Sequence, residues 1–234
     1  MGLRDHFRPP LHPLHHWDSF HSNWATRIAD ALNDRHLPQG YLAEEHTHLA
    51  GNVEIDVATF RRAGDAVDAA GTFSPGPPTA SAPFSLPDTF EVRVLTDLGG
   101  ATLVGVIELV SPGNKDRPEQ RRAFVTKCAG FLHQGATVLI VDVVTTRSAN
   151  LHDELANLVG APGLRMPGEP SIYASAWRPL TRDGDASLEV WSVPCELGTA
   201  LPTLPLRLQG DLVVPVELEA TYVEACRRRR IPLE

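Results

Sequence analysis

Five apolar side chains near the N-terminus recur every three or four residues, which is the spacing of one face of an α-helix. They are Trp17, Phe20, Trp24, Ile28 and Leu32. The pattern predicts an opening helix that stops at the Pro-Gln-Gly turn of residues 38–40. GYLAEEHTHLA then predicts a strand, and VEIDVATF alternates apolar and polar residues. The Gly-Asn pair between these two segments indicates a β-hairpin.

The middle of the chain predicts a strand, a helix and a second strand. TFEVRVLT and TLVGVIELV flank DLGG, a further hairpin signal. Residues 116–135 predict one helix, because Asp116 and Glu119 have capping-box spacing and Gly135 supplies a stop. ATVLIVDVV is an unbroken apolar run, typical of a central strand that is covered on both faces. Strand, helix and strand over residues 102–144 therefore predict a right-handed crossover with parallel pairing.

The remaining segments complete one mixed α/β domain over residues 1–234. SIYASAWRPL and SLEVWSVP predict a further strand pair, and the Pro-rich tail predicts a final helix from about Val216. Residues 64–87 are rich in Ala, Gly, Ser and Pro, a composition that cannot bury a core. We expect them to form an exposed insert and the most mobile internal segment.

Composition narrows the class of protein. No apolar run is long enough to cross a membrane and the N-terminus lacks a secretory apolar centre, so we expect a cytoplasmic protein without a membrane partner. Cys128, Cys195 and Cys226 are far apart, which favours neither a zinc site nor a disulfide framework. The net charge of −8 argues against nonspecific nucleic-acid binding. The four arginines at 227–230 are more typical of a solvated helix end.

One carboxylate interrupts an otherwise apolar strand. In VIELVSPGNK, Glu108 lies inside the apolar run, and a Ser-Pro-Gly turn leads to Lys115. Burying an unpaired carboxylate costs several kcal/mol, comparable to the stability of a domain. We therefore expect Glu108 to meet a metal ion, a basic side chain or a substrate. A structural salt bridge within the sheet remains an alternative.

A second strand carboxylate and two lysines extend this to a candidate metal site. Asp56 and Glu108 are expected on neighbouring strands, close enough to share one Mg²⁺ or Mn²⁺ ion. Lys115 follows Glu108 closely, and Lys127 lies at the edge of the apolar face of the predicted helix. Either lysine could orient or activate water at a phosphodiester. Lys127 could instead extend past that face into solvent.

The histidines give weaker signals. His6, His12, His15, His16 and His21 cluster near the N-terminus, where surface or packing roles are more typical than metal binding. His46 and His48 lie with Glu44 on one predicted strand near the proposed site. They are the better candidates for a supporting or substrate-binding role.

The segment VIELVSPGNK also resembles the E-x-x-S-P-x-N-K signature of a bacterial family known only as a domain of unknown function (number 4058). That family is similar to the restriction-endonuclease-like, PD-(D/E)XK superfamily. Other segments extend the resemblance over nearly the whole chain: WDSFHSNWATRIADALN with LPQGY, VEIDVA, and LPTLPLRL before the last helix. The resemblance implies a restriction-endonuclease-like mixed sheet flanked by helices, within an α/β fold class.

Carried over by position, the resemblance gives Asp56 and Glu108 as the two acidic residues. Ile55 replaces the proline before Asp56, and Val110 occupies the position of the E-x-K lysine. A catalytic lysine must then have migrated, to Lys115 or to Lys127. Glu45 matches an acidic position of the family, whereas the family's Pro-Gly-Met-Asp-Pro opening is missing.

Two functions from different classes follow. The first is a Mg²⁺-dependent phosphodiesterase or nuclease acting on nucleic acid, favoured by Asp56 and Glu108. The second is a non-catalytic binding or interaction module on a nuclease-like scaffold, favoured by the acidic charge and the absent E-x-K lysine. A zinc hydrolase that uses the histidines is a distant third. Nucleic acid and a second copy of the chain, as a homodimer, are the candidate partners.

Overall fold

A computed structural model describes residues 2–49, 53–61, 73–83, 102–182, 185–208 and 212–232. In this part of the chain the fold is mixed α/β, with one seven-stranded mixed sheet, a separate two-stranded ribbon and five α-helices. No helix among these residues combines the length and apolar character that a membrane crossing requires.

The strands have the following bounds. In chain order they are β1 Tyr41–Leu49, β2 Val53–Arg61, β3 Ala80–Pro83, β4 Thr102–Leu109, β5 Thr137–Asp142, β6 Tyr173–Arg182, β7 Asp185–Pro194, β8 Thr203–Arg207 and β9 Val213–Glu217. The large sheet has the order β1-β2-β4-β5-β6-β7-β3, and β8 pairs with β9. Only β4 and β5 pair in parallel within these described strands.

The helices lie on both faces of the sheet. They are α1 Trp17–Ala31, α2 Pro112–Asp116, α3 Pro118–His133, α4 Leu151–Leu158 and α5 Leu218–Arg228. One buried cluster joins α1, α5 and the β8–β9 ribbon to one face of the sheet. The other cluster joins α3 and α4 to the opposite face. The result is a layered domain whose sheet is covered on both sides.

Alternating side chains of the central strands supply both clusters. Val57 on β2 and Ile107 on β4 belong to the α1 and α5 side. Their neighbours Ala58 and Val106 belong to the α3 side. Every residue of β5 is buried, which confirms the prediction of a central, doubly covered strand. The parallel β4–β5 pairing around α3 confirms the predicted crossover connection.

Several other predictions are also confirmed. The first two strands pair antiparallel as a hairpin, as do β6 and β7. The apolar stripe of α1 is buried, and the final helix begins at Leu218. Gly135 follows α3 with a φ of +85°, a left-handed conformation that suits glycine at a helix end.

The predicted single helix over residues 116–135 is corrected by the structure. Two helices occupy this region, α2 and α3, and the extended residue Arg117 separates them. The capping box belongs to α2, where the Ser111 and Asn114 side chains satisfy each other's backbone amides. Asp116 ends α2 and caps nothing in α3, whose N-cap is Arg117 without a side-chain hydrogen bond. The sharp turn at Arg117 arises because Pro118 disfavours a helical residue before it.

Part of the predicted insert contributes to the sheet. Of residues 64–87, the described portion is 73–83, and Ala80–Pro83 forms β3 against β7. The side chains of Ala80, Ser81 and Ala82 are exposed or half-buried, and a proline within the strand suits an edge position. A short edge strand thus forms despite a composition that cannot build a core, because β7 supplies the pairing partner. The predicted strand TFEVRVLT and its DLGG turn lie outside the described residues.

Candidate functional site

Asp56 and Glu108 lie on neighbouring antiparallel strands. Val57 on β2 pairs with Ile107 on β4; Asp56 directly precedes Val57 and Glu108 directly follows Ile107, so the two carboxylates lie at the same end of this strand pairing. In antiparallel pairing, residues opposite one another project from the same face of the sheet. Glu108 is also two residues after Val106, which places it on the α3 side. Both carboxylates are buried.

Lys127 is the basic partner of Glu108. Its Nζ lies 2.8 Å from Glu108 Oε2, so α3 directs a lysine back to the sheet across the crossover. Glu108 is only 2% exposed. Its second oxygen, Oε1, is buried and accepts no hydrogen bond from the described protein atoms. Glu108 Oε2 is therefore paired with a lysine, whereas Glu108 Oε1 is an acceptor that has no donor among the described residues.

Asp56 and His21 contact the backbone of Leu109 on both sides of its Cα atom, one at the N–H and the other at the carbonyl. Asp56 Oδ2 accepts a 2.6 Å hydrogen bond from Leu109 N, and His21 Nε2 donates to Leu109 O at 2.9 Å. The same Nε2 lies 3.3 Å from Asp56 Oδ1. A carbonyl oxygen can only accept, so Nε2 carries a proton. His21 comes from α1, so helices from both faces of the sheet reach this end of β2 and β4.

Burial dominates the electrostatics of the site. It raises the pKa of Glu108 above the ordinary range of a glutamate, Lys127 opposes this rise, and the charge of Asp56 adds to it. Burial lowers the pKa of the Lys127 ammonium, but the charge and hydrogen bond of Glu108, together with Cys128 and Asp56, outweigh that effect, so the net direction is upward. The raised pKa of Lys127 requires an ionised Glu108, whereas the raised pKa of Glu108 favours its neutral form. We favour a raised Glu108 pKa, because its unbonded oxygen has no access to water.

His21 and Cys128 respond to the same carboxylates. Burial lowers the pKa of His21, but the hydrogen bond to Asp56 and that residue's charge outweigh it, so the net direction is upward. Burial, with a further contribution from Glu108, raises the pKa of the Cys128 thiol far above its ordinary value. The thiol is therefore inert, because thiols react as thiolates.

Lys115 lies in a different ion pair. Its Nζ is 2.8 Å from Asp142 Oδ2 on β5, and both side chains are fully buried. The ammonium also donates to the carbonyl of Ser171 at 2.8 Å. Asp142 Oδ1 accepts from Val144 N. Of the two lysines proposed from the sequence, the structure brings Lys127, and not Lys115, to Glu108.

The N-terminal histidines have separate environments. His6 is 1% exposed, stacks on Phe20 and bonds the Tyr222 hydroxyl at 2.7 Å, so it is a packing residue as expected. His21 joins the candidate site, although no motif in the sequence had indicated it. The available signal was its position: at 100° per residue, His21 lies about 40° from Trp17 on the apolar stripe of α1.

Other candidates from the first strand contribute nothing to the described site. Glu45 is exposed on β1, and Glu44 is half-buried. The side chains of His46 and His48 lie outside the described part of the structure. Within that part, no group of three or more His, Cys, Asp or Glu side chains is arranged to hold a metal ion.

The donor chemistry nevertheless fits a hard cation. Mg²⁺ takes oxygen ligands, commonly binds through one or two carboxylates and keeps several waters. Asp56 and Glu108 supply two such carboxylates, and Glu108 Oε1 has no competing hydrogen bond from the residues that the structure describes.

Comparisons with protein-family models, with curated proteins and with solved structures found no match to this chain.

Proposed function

We propose that this chain is a divalent-cation-dependent phosphodiesterase that acts on nucleic acid. The observation that carries the proposal is the buried, unbonded Oε1 of Glu108 beside Asp56 and Lys127. A buried acceptor without a donor destabilises a fold by about 1–3 kcal/mol, and more when the group is charged. A cation bound by this oxygen and by Asp56 would remove that cost.

The side chains of the site suit distinct tasks in this chemistry. Asp56 and Glu108 are the ligands, and Mg²⁺ or Mn²⁺ bound there would polarise the phosphodiester and acidify a bound water. Lys127 has an ammonium that can hold a phosphate oxygen or orient the attacking water. Its side chain is 23% exposed, so it can reach a substrate from outside the core, whereas that of Lys115 is 0% exposed.

We further propose that the sheet is of the restriction-endonuclease-like kind. In support, a hairpin carries Asp56 and the adjoining strand carries Glu108. Helix α3, which connects the parallel strands β4 and β5, then brings Lys127 to the site. This arrangement agrees with a lysine that has migrated from the E-x-K position, now Val110, to the following helix.

A non-catalytic binding module on the same scaffold is the second candidate. Three of the four carboxylate oxygens already have protein partners: Lys127 for Glu108, and Leu109 N and His21 for Asp56. Such a set can stabilise the fold without any cation. This hypothesis predicts that neither Mg²⁺ nor Mn²⁺ changes the stability of the protein.

One experiment separates the two candidates. Thermal unfolding and cleavage of single- and double-stranded DNA and RNA are measured with Mn²⁺, with Mg²⁺ and with a chelator. For a phosphodiesterase, a hundredfold excess of cation over its Kd stabilises the parent protein by about 2.7 kcal/mol and supports cleavage. Glu108→Gln removes both effects.

The matched control is Glu154→Gln. Glu154 lies on α4, in an ion pair with Arg121 at 2.7 Å, and it is absent from the site. This variant loses one carboxylate charge but keeps the response to the cation. A parent protein that neither cleaves nor shifts its melting temperature with either cation would overturn the phosphodiesterase proposal and leave the binding module.

A further inference from the structure

His21 completes a closed hydrogen-bonded ring at the end of β4. Leu109 N donates to one oxygen of Asp56 at 2.6 Å, and His21 Nε2 lies 3.3 Å from the other oxygen. The ring closes because the same Nε2 donates to Leu109 O at 2.9 Å. Leu109 directly follows Glu108 in the chain. The ring therefore fixes the backbone next to one proposed ligand and the carboxylate of the other.

We infer that His21 is a positioning residue that orients the Asp56 carboxylate and the backbone of Leu109 for cation binding. The inference rests on the proposed function, because it assigns Asp56 as a ligand. A carboxylate can rotate about its terminal bond, and the contacts of both Asp56 oxygens, one with Leu109 N and the other with the protonated Nε2 of His21, oppose that rotation. Hydrogen-bond partners of metal ligands act in this way, and their loss typically weakens metal affinity 10- to 100-fold.

The placement of His21 favours this role over simple packing. Its ring centroid lies 5.6 Å from that of Trp17, so the imidazole packs against the apolar stripe of α1. Among the described hydrogen bonds and ion pairs, its Nε2 contacts only Leu109 O and Asp56 Oδ1. An apolar residue at this position would fill the same space without supplying a donor. The donor is therefore the property to test.

Two substitutions of similar size isolate the donor. His21→Gln can place an amide N–H close to the position of Nε2, whereas His21→Met has comparable length and no donor. Both lose the imidazole ring and its contact with Trp17. The difference between these variants therefore reports the hydrogen bonds and not the packing.

The first readout needs no cation. Hydrogen exchange of the Leu109 amide is measured by NMR, because that amide donates to Asp56. A hydrogen bond contributes about 1 kcal/mol net, so His21→Met should speed this exchange roughly fivefold. His21→Gln should keep the parent rate. The Val138 amide on β5 serves as a remote control and should not change. Equal Leu109 exchange in the parent and in both variants would overturn the inference.

The second readout is the Kd for Mn²⁺, measured by electron paramagnetic resonance. His21→Met should weaken binding roughly tenfold or more, and His21→Gln should restore it. Weakening in both variants alike would overturn the donor role. If the parent binds no Mn²⁺ while the Leu109 amide still responds to His21→Met, the proposed function fails. The orientation of Asp56 by His21 then stands by itself.

Discussion

Lys127 on α3 and Glu108 on β4 form an ion pair at 2.8 Å across the crossover connection. The lysine keeps 23% of its side-chain exposure, whereas the carboxylate keeps 3%. The charge that interrupts the apolar pattern of β4 thus has a basic partner that reaches solvent. This asymmetry explains why substitutions of the two residues should have different effects.

Replacing Lys127 should destabilise the fold. Lys127→Met leaves Glu108 buried without its cation, and breaking a buried pair in this way costs roughly 3–5 kcal/mol. Urea unfolding at pH 8, where the unpaired carboxylate is most costly, gives the change in the free energy of unfolding. The double variant Lys127→Met with Glu108→Gln should recover most of the loss. If the single and double variants are equally unstable, the cost comes from packing of the lysine stem and not from the charge.

Glu108→Gln should change stability with a definite dependence on pH. Because the folded-state pKa of Glu108 is raised, the folded protein holds a proton that the unfolded chain releases. The contribution of Glu108 to stability is therefore full below the unfolded pKa near 4.5 and is lost as pH rises through the folded pKa. Without metal, the variant should be at least as stable as the parent at pH 8.

The pH dependence of that difference is the decisive measurement. The free energy of unfolding is determined for parent and variant at pH 5 and pH 8 in chelator. The advantage of the glutamine should shrink at pH 5, where Glu108 takes up its proton. A variant that is destabilised by the same amount at both pH values would show that Glu108 is needed as an ionised partner of Lys127.

Sequence patterns predicted the framework better than the site. Periodicity of two or of 3.6 residues marks buried strands and helices whatever their partners are, so the hairpins and the crossover could be predicted. The split between α2 and α3 was missed although Ser111 and Asn114 have capping-box spacing. Ser111 and Asp116 are both suitable N-cap residues and lie five positions apart, and the local sequence does not show which of them begins a helix.

In the candidate site, too, some residues could be predicted from the sequence, whereas their contacts could not. Glu108 could be singled out because a charge in an apolar run needs a partner, and the same argument applies to Asp142 in ATVLIVDVV. The identity of each partner could not be predicted, because Lys115 and Lys127 are both close in sequence. The choice depends on how α3 packs against the sheet. His21 reaches the site from another helix, a contact across 88 residues to Leu109.

Substitution of Lys115 should affect stability rather than chemistry. Lys115→Met leaves Asp142 buried and unpaired, and we expect a loss of roughly 3–5 kcal/mol. Adding Asp142→Asn removes that charge and keeps an oxygen for Val144 N, so the double variant should regain part of the loss. The folded fraction of the double variant should bind Mn²⁺ with the Kd of the parent. A large rise in that Kd would return Lys115 to the candidate site.

Acid should destabilise the protein through a buried histidine. His152 is fully buried and donates from Nε2 to the carbonyl of Leu164 at 2.9 Å, while its Nδ1 has no hydrogen-bond partner in the described part of the chain. Burial lowers the pKa of His152 to about 4, from 6.5 in the unfolded chain. Between these values the unfolded chain binds the proton and the folded protein does not. Stability therefore falls as pH decreases from 6.5 towards 4, by roughly 3 kcal/mol at the acid end.

His152→Gln provides the test, because glutamine can keep a donor for Leu164 O but does not titrate. Urea unfolding of parent and variant is measured at pH 7.5 and pH 4.5. His6, whose pKa burial also lowers to about 4, remains in both proteins and cancels in the comparison. The parent should lose more stability than the variant between the two pH values. Equal losses would show that His152 is protonated in the folded state, so that its unpartnered Nδ1 must gain an acceptor or water on acidification.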